Sequence, residues 1–382
     1  MTATCTVCSS PAAGGWRCAC GGPYDLTDVP ATPLRQLAAR SDDRAGLWRY
    51  AATIPVSPRV AAALSIGEGQ TPLIDAGDEV PGVKIKLEFL FPTLSFKDRG
   101  AVVLVASALE RGARRLVADS SGNAGSAIAA YATRAGLECR VFVPESTSAK
   151  KQAQIRAYGA VVETIAGDRT ATTEAAIGAA RATGATYASH IYDPMFLQGT
   201  KTYAFELWEQ LGGVPDALVL PAGNGTLLLG AARGFRELRA GGLTDRVPAV
   251  IAVQSERCAP LAAAWAAGAD QPLVVAARET AAEGIAIPRP PRGRQVLAAV
   301  RESGGCVVSV AEDAIEPARD HLGRRGLFVE PTAAITWAAA LLARGHRGVP
   351  ASGTAGESWL RARELAAGTL VVPLCGAGLK SA

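Results

Sequence analysis

From Leu116 onward the chain alternates short apolar runs with stretches of helical period, and few residues separate them. Runs at 115–119, 139–143, 161–165, 185–189, 216–220, 249–254, 305–310 and 369–373 predict strands, and 84–90 reads as another. Segments 99–112, 124–136, 148–158, 170–183, 198–211, 226–239, 258–267, 312–326 and 332–344 predict helices. Strand and helix in turn, joined by short loops, imply an α/β fold of parallel sheets covered by helices. Residues 34–63 read as a helix-containing lead-in, with Trp48 and Tyr50 available for packing. The stretch 270–294, broken by Pro272, Pro288, Pro290 and Pro291, reads as an irregular crossing segment.

Length and charge narrow the class. A chain of 382 residues can bury a sizeable core in two or three domains. Its net charge of +4 is small and dispersed, which argues against nucleic acid as the main partner. No apolar run reaches the roughly 20 residues needed to span a bilayer, so no membrane partner is expected. The start Met1-Thr-Ala-Thr-Cys5 has neither the charged head nor the apolar stretch of a signal peptide, and a cytoplasmic enzyme is expected. Four cysteines crowd the N-terminus: Cys5 and Cys8 two residues apart, then Cys18 and Cys20 one residue apart. Two thiolate pairs on short turns supply the four soft ligands of a tetrahedral zinc knuckle over 1–25, against the plainer reading of four reduced thiols. Such a site would be structural, because four thiolates leave no open position on the metal. Cys139, Cys258 and Cys306 read as core residues.

Three stretches carry chemistry. Phe91-Pro-Thr-Leu-Ser-Phe-Lys-Asp-Arg-Gly100 leads into a predicted helix with Ser95 placed to cap it. Lys97 then lies in the first turn, where the helix dipole disfavours an ammonium and favours a nucleophilic amine. That suits a Schiff-base lysine; the plainer reading is a surface lysine beside Asp98 and Arg99. Ala118-Asp-Ser-Ser-Gly-Asn-Ala-Gly125 ends a strand and opens a helix, forming a nest suited to a carboxylate. Val219-Leu-Pro-Ala-Gly-Asn-Gly-Thr226 is strand, Gly-rich turn and helix, a geometry that holds phosphate on backbone amides or is only a tight turn. No GxGxxG with a downstream acidic residue appears in a βαβ unit, which sets a dinucleotide fold aside.

Taken together, these segments resemble the fold type II pyridoxal-phosphate enzymes, the tryptophan synthase beta-like superfamily, and within them the threonine synthases and threonine-synthase-like proteins. The resemblance rests on Pro92-Thr-Leu-Ser-Phe-Lys-Asp-Arg-Gly100, Ser120-Ser-Gly-Asn-Ala-Gly125, Gly223-Asn-Gly-Thr226, Gly284-Ile-Ala286 and Ala299-Val-Arg-Glu-Ser-Gly-Gly305. Glu330-Pro-Thr-Ala333 and Cys375-Gly-Ala-Gly-Leu-Lys380 extend it to nearly the whole chain. It implies two parallel-sheet α/β domains with the cofactor in the cleft: a large one over 26–100 and 206–382, and a small mobile one over 101–205. It implies that Lys97 binds pyridoxal 5'-phosphate as a Schiff base and then shuttles protons. Asn123 would meet the cofactor's phenolic oxygen, and Ser120, Ser121, Gly122, Asn123 and Ala124 would grip the carboxylate of a small amino-acid substrate. Gly223, Asn224, Gly225 and Thr226 would cradle the cofactor phosphate, and Cys375 would face the pyridine nitrogen. A homodimer is also implied, as is conversion of O-phosphohomoserine and water to threonine and phosphate.

The chain departs from that pattern in three places. Cys375 stands where the family generally has Thr or Ser, and a thiol is a weak donor. Phe196 and His190-Ile191 replace an arginine and an Asn-Ser pair, and a phenyl ring cannot fork onto phosphate. Leu94 replaces a glycine. Two alternatives therefore stand beside threonine synthase. One is β-elimination or β/γ-replacement on another amino acid; the other is a non-catalytic metabolite-binding protein on the same scaffold.

Overall fold

The computed structural model describes residues 2–27 and 46–380; the part of the lead-in over 34–45 lies outside them. In chain order the elements are β1 (Ala3–Cys5), β2 (Tyr24–Leu26), a 3-10 helix (Gly46–Thr53), α1 (Pro58–Leu64), β3 (Leu73–Asp75), β4 (Val83–Lys86), α2 (Lys97–Glu110), β5 (Arg115–Ala118) and α3 (Asn123–Arg134). Then come β6 (Glu138–Pro144), α4 (Ala149–Ala157), β7 (Val161–Ile165), α5 (Arg169–Thr183), β8 (Thr186–Tyr187), α6 (Met195–Thr200), α7 (Thr202–Leu211), β9 (Ala217–Pro221) and α8 (Thr226–Ala240). The chain continues through β10 (Ala249–Ser255), α9 (Pro260–Ala266), α10 (Gly293–Glu302), β11 (Cys306–Val310), α11 (Ile315–Gly323), α12 (Pro331–Ala343), α13 (Glu357–Leu365) and β12 (Leu370–Pro373).

These elements form two compact units: one takes the residues up to Gln70 with Phe91–Thr202, the other Thr71–Leu90 with Tyr203 onward. The division implied by the resemblance put 26–100 with 206–382. By compactness, 46–70 and 91–100 group instead with 101–202, because α2 runs unbroken through residue 100 and packs on α3 and α6.

The first unit holds a four-stranded parallel sheet in the order β7-β6-β5-β8. Its core joins Val102, Val103 and Leu104 of α2 to Leu116, Ile128 and Val141. The second holds a six-stranded sheet in the order β11-β10-β9-β12-β4-β3, parallel except for the edge strand β3. Strands β9, β10 and β12 are buried along their whole length, as strands covered on both faces must be. Helix α12 is apolar all round and buried from Thr332 to Ala343, with Trp337 at its centre. The first sheet's order reverses between β5 and β8, and in the second the last strand, β12, is inserted beside β9, where the run β11-β10-β9 ends. Ligands of open α/β sheets bind beyond the carboxyl ends of strands at such switch points.

Some expected elements differ. Strand β4 stops at Lys86, and residues 87–90 turn, with the Leu90 N–H bonded to the Leu87 carbonyl at 3.1 Å. The helix expected over 198–211 is two helices meeting at Lys201, and that over 312–326 opens with a 3-10 turn, Glu312–Ala314. Helix α10 lies just past Pro290-Pro291, where those prolines mask its buried stripe of Val296, Leu297 and Val300. Helix α13 buries only Trp359 and Ala362, too narrow a stripe to signal itself.

Candidate active site

In the first unit, Lys97 is the first residue of α2. Ser95 does not cap that helix: Phe96 occupies the cap position without a side-chain bond, and the Ser95 hydroxyl is buried with no partner. The turn is braced by Asp98 instead, whose carboxylate accepts the Thr93 N–H at 2.8 Å and also the Thr93 hydroxyl. Leu94 sits in the left-handed region at φ +65°, a conformation that costs an ordinary side chain about 1–2 kcal/mol and that glycine adopts freely. The glycine usual at this place in the resemblance was therefore the sequence signal for a strained turn beside the lysine.

Aromatic rings flank the amine. Lys97 Nζ lies 4.5 Å from the Phe96 ring centroid and 5.7 Å from that of Phe196. Phe196 is pressed against α2, where a Cβ on Gly100 would come within 2.5 Å of its ring. His190 meets Phe196 edge-on, with centroids 5.8 Å apart. Burial, and then the charges of Lys97 and Arg169, hold the His190 imidazole well below its usual range, so it is neutral near pH 7. Lys201 is fully buried and donates to the Thr53 carbonyl at 2.8 Å. His190 is thus discharged, and the Lys201 ammonium is tied to backbone.

Beyond β5, Ser120–Gly122 lead into the N-terminus of α3, whose cap Gly122 makes no side-chain bond. A Cβ on Gly122 would meet nothing within 4 Å, whereas one on Gly125 would strike the Ser120 carbonyl oxygen at 1.8 Å. The nest is therefore tight on its inner side and open on its outer one. The turn after β8, at Ser189 and His190, leaves the neighbouring strand at the same switch point. The amides of Ser120–Ala124 lie at a helix start beside the sheet's switch point, the kind of place where ligands of open α/β sheets gather.

In the second unit, Gly223–Thr226 follow β9 and Cys375 follows β12, the two strands that flank that sheet's switch point. Gly225, at φ +75°, caps α8 without a side-chain bond, and its Cβ would come within 2.3 Å of Val296. A Cβ on Gly223 would lie 2.9 Å from the Ile285 Cα. Asn224 Oδ1 is buried and unpartnered. A glycine-built helix N-terminus whose amides have no side-chain cap fits the phosphate of pyridoxal phosphate. The sequence motifs of this unit interlock. Gly284 donates its N–H to Thr332 Oγ1 at 3.1 Å, and a Cβ on Gly376 would lie 2.4 Å from the Glu330 carboxyl carbon. Glu330 thereby stands against the residue following Cys375, which joins two of the quoted motifs. Cys375 is buried, its thiol 3.8 Å from the Pro373 carbonyl.

At the N-terminus, Cys5, Cys8, Cys18 and Cys20 bring their sulfurs within 4.8 Å of one another. Bonds to Ser10 lower the Cys8 thiol to about 6. Four thiolates this close repel one another unless a cation sits among them, so the donor set and its spacing fit zinc. Cys139 and Cys306 are core thiols that burial raises to about 12.

These features define an α/β protein with a four-stranded parallel sheet and a lysine at a helix start in one unit, and a six-stranded sheet and a glycine-built helix start in the other. The family model for pyridoxal-phosphate dependent enzymes matches residues 64–354. The chain belongs to that family. It is 36% identical to threonine synthase of Methanosarcina acetivorans over 75% of this chain and 72% of that one. With threonine synthase of Methanocaldococcus jannaschii it shares 32% over 84% and 81%. Among solved structures, maize serine racemase superposes with TM-score 0.68 at 21% identity, covering 84% of this chain and 92% of that one, which shows the common fold. Among the described residues no helix is long and apolar enough to cross a membrane.

Proposed function

We propose that the chain is a threonine-synthase-like lyase acting on a small amino acid, with O-phosphohomoserine and water giving threonine and phosphate as the leading reaction. The similarity to two threonine synthases across most of the chain carries this reading. When bound, pyridoxal phosphate supplies the electron sink. The Lys97 amine would hold it and move a proton to and from the substrate Cα. Gly223–Thr226 would bind the cofactor phosphate, Asn123 its phenolic oxygen, and the thiol of Cys375 would face its ring nitrogen. The amides of Ser120–Ala124 would orient the substrate carboxylate. The reaction breaks the Cγ–O bond to phosphate and adds water at Cβ. A cytoplasmic homodimer with structural zinc on Cys5, Cys8, Cys18 and Cys20 completes the proposal.

A second reading has its own observation. Phe196 stands where the resemblance has an arginine, and His190 beside it is neutral, which favours elimination or replacement on an amino acid with a different leaving group. One assay separates the two. Purified, cofactor-loaded protein is given O-phosphohomoserine, then serine, threonine and phosphoserine, with phosphate and amino-acid product followed apart. Threonine and phosphate released together support the first reading. Turnover of another amino acid, with O-phosphohomoserine inert, supports the second, and inertness toward all of them sinks both.

A further inference from the structure

The cysteine knuckle reaches the segment carrying His190 and Phe196 with the side chain of Trp16. Trp16, two residues before Cys18, stands edge-on to Tyr187 with centroids 5.1 Å apart and to Tyr192 with centroids 4.6 Å apart. The guanidinium of Arg17 covers the Trp16 ring at 4.5 Å. Tyr187 ends β8, a two-residue strand at the edge of its sheet, and Tyr192 lies just past His190.

The stretch between the two tyrosines is buried from Ala188 to Ile191 and is bonded at both ends. Ala188 donates its N–H to the Val117 carbonyl at 2.8 Å, and Asp193 donates to the Ser189 carbonyl at 2.9 Å. The Tyr192 N–H reaches the Ser189 hydroxyl at 3.4 Å. Asp193 in turn starts α6, accepting the Met195 N–H on its carboxylate at 2.9 Å and the Phe196 N–H on its carbonyl at 3.2 Å. Phe196, packed on α2 at Gly100, follows a turn whose two ends carry the rings that Trp16 touches. A two-residue edge strand fixes little alone, and each edge-on aromatic pair shifts an equilibrium by roughly two- to tenfold.

The knuckle cannot hold Trp16 in place unaided. Its interior is Cys5, Cys18 and Tyr24, with Ala3 packed against them. So small a core folds only when cross-linked or metal-bound. Four sulfurs within 4.8 Å supply the metal site, and metal binding at such a site is folding free energy.

We propose that Trp16 is a positioning residue. With a divalent cation held by the four thiolates, it clamps Tyr187 and Tyr192 and so sets the turn that places His190 and Phe196 beside Lys97. Loss of the metal loosens that turn and weakens substrate binding, while Lys97 keeps the cofactor. The clamp itself follows from contacts within one unit; only its kinetic consequence rests on the lyase reading.

Hydrogen exchange on the zinc- and cofactor-loaded protein tests it, alongside the substrate concentration that half-saturates the change in the cofactor's visible absorbance. In Trp16→Ala, amides across 188–196 exchange about tenfold faster and half-saturation rises about fivefold to tenfold, with cofactor content unchanged. Trp16→Phe, which keeps an aromatic ring, restores most of both. Removing zinc with a chelator reproduces the alanine variant. Tyr192→Ala leaves the knuckle untouched, so it must give the same acceleration with zinc still bound, even if Trp16→Ala loses metal. Unchanged exchange over 188–196 in Tyr192→Ala or in the chelated protein overturns the clamp. If no amino acid perturbs the wild-type absorbance, the lyase reading falls, and exchange still decides the clamp.

Discussion

Gly223→Ala perturbs the anion site through backbone alone. The added methyl carbon would start 2.9 Å from the Ile285 Cα and 3.1 Å from the Gly284 carbonyl oxygen. Carbon atoms settle at about 3.5–4.0 Å, so either the 223–226 turn or the 284–285 backbone must retreat by about 0.6 Å or more. Retreat of 284–285 is resisted, because the Gly284 N–H is bonded to Thr332 on the buried helix α12. The turn moves instead, and with it the amides at the start of α8. Hydrogen bonds from amides to a charged phosphate contribute about 1.5–3 kcal/mol each, so misaiming one of them weakens cofactor binding by roughly 10- to 150-fold. The assay is titration of the cofactor-free protein with pyridoxal phosphate, followed by visible absorbance, with thermal melting alongside. Gly122→Ala is the control for Gly223→Ala, since its Cβ meets nothing within 4 Å, and it should bind cofactor as wild type does. If Gly223→Ala also binds as wild type does, Gly223–Thr226 are not the phosphate cradle.

Three further outcomes are expected. Lys97→Ala should abolish the visible band of the purified protein while leaving its melting temperature nearly unchanged; a surviving band removes Lys97 from its role. Cys375→Thr should keep cofactor and turnover within about threefold, since a buried hydroxyl near the Pro373 carbonyl replaces a weak donor by a stronger one, whereas complete loss of turnover would show that the thiol is required. Glu68 gives a pH signature. Its carboxylate accepts from Trp48 Nε1 at 2.6 Å, from the Ile66 N–H at 2.8 Å and from the Tyr131 hydroxyl at 3.2 Å, yet burial outweighs these donors and raises its pKa. The folded state then keeps a proton that the unfolded state has released. This contribution is complete below the ordinary Glu value near 4.5 and is lost as pH rises through the folded value, with a slope of at most about 1.4 kcal/mol per pH unit. Urea unfolding across that window should show a fall that Glu68→Gln flattens, and parallel curves for the two proteins would count against it.

Local pattern made much of this molecule readable, because parallel strands buried on both faces are continuous apolar runs and the helices between them are long. The strands β9, β10 and β12 and the turns after β5 and β9 announced themselves in that way. Tertiary causes hid the rest. The N-terminus of α2 offered Ser95 as a cap by spacing, but the Asp98 N–H goes to the Ser95 carbonyl rather than its hydroxyl, and the side-chain bond of that turn is the Asp98 carboxylate accepting from Thr93. The loss of charge at the substrate end was half visible, since Phe196 could be read from the sequence. That His190 is discharged and Lys201 tied to Thr53 depends on burial and on a residue 148 positions away. The meaning of Leu94 came only with its φ angle: a leucine retained where the backbone asks for glycine places strain one turn from the reactive lysine, together with two phenyl rings. Strain of this kind persists where surrounding structure enforces it, and it clusters at functional sites. Lys97, the 120–125 turn and the 223–226 turn carry the motifs of the resemblance, while Leu94, His190 and Phe196, the residues that depart from it, lie near Lys97 in the chain or in the fold. The chain's own chemistry is therefore to be sought in what those three side chains admit beside Lys97.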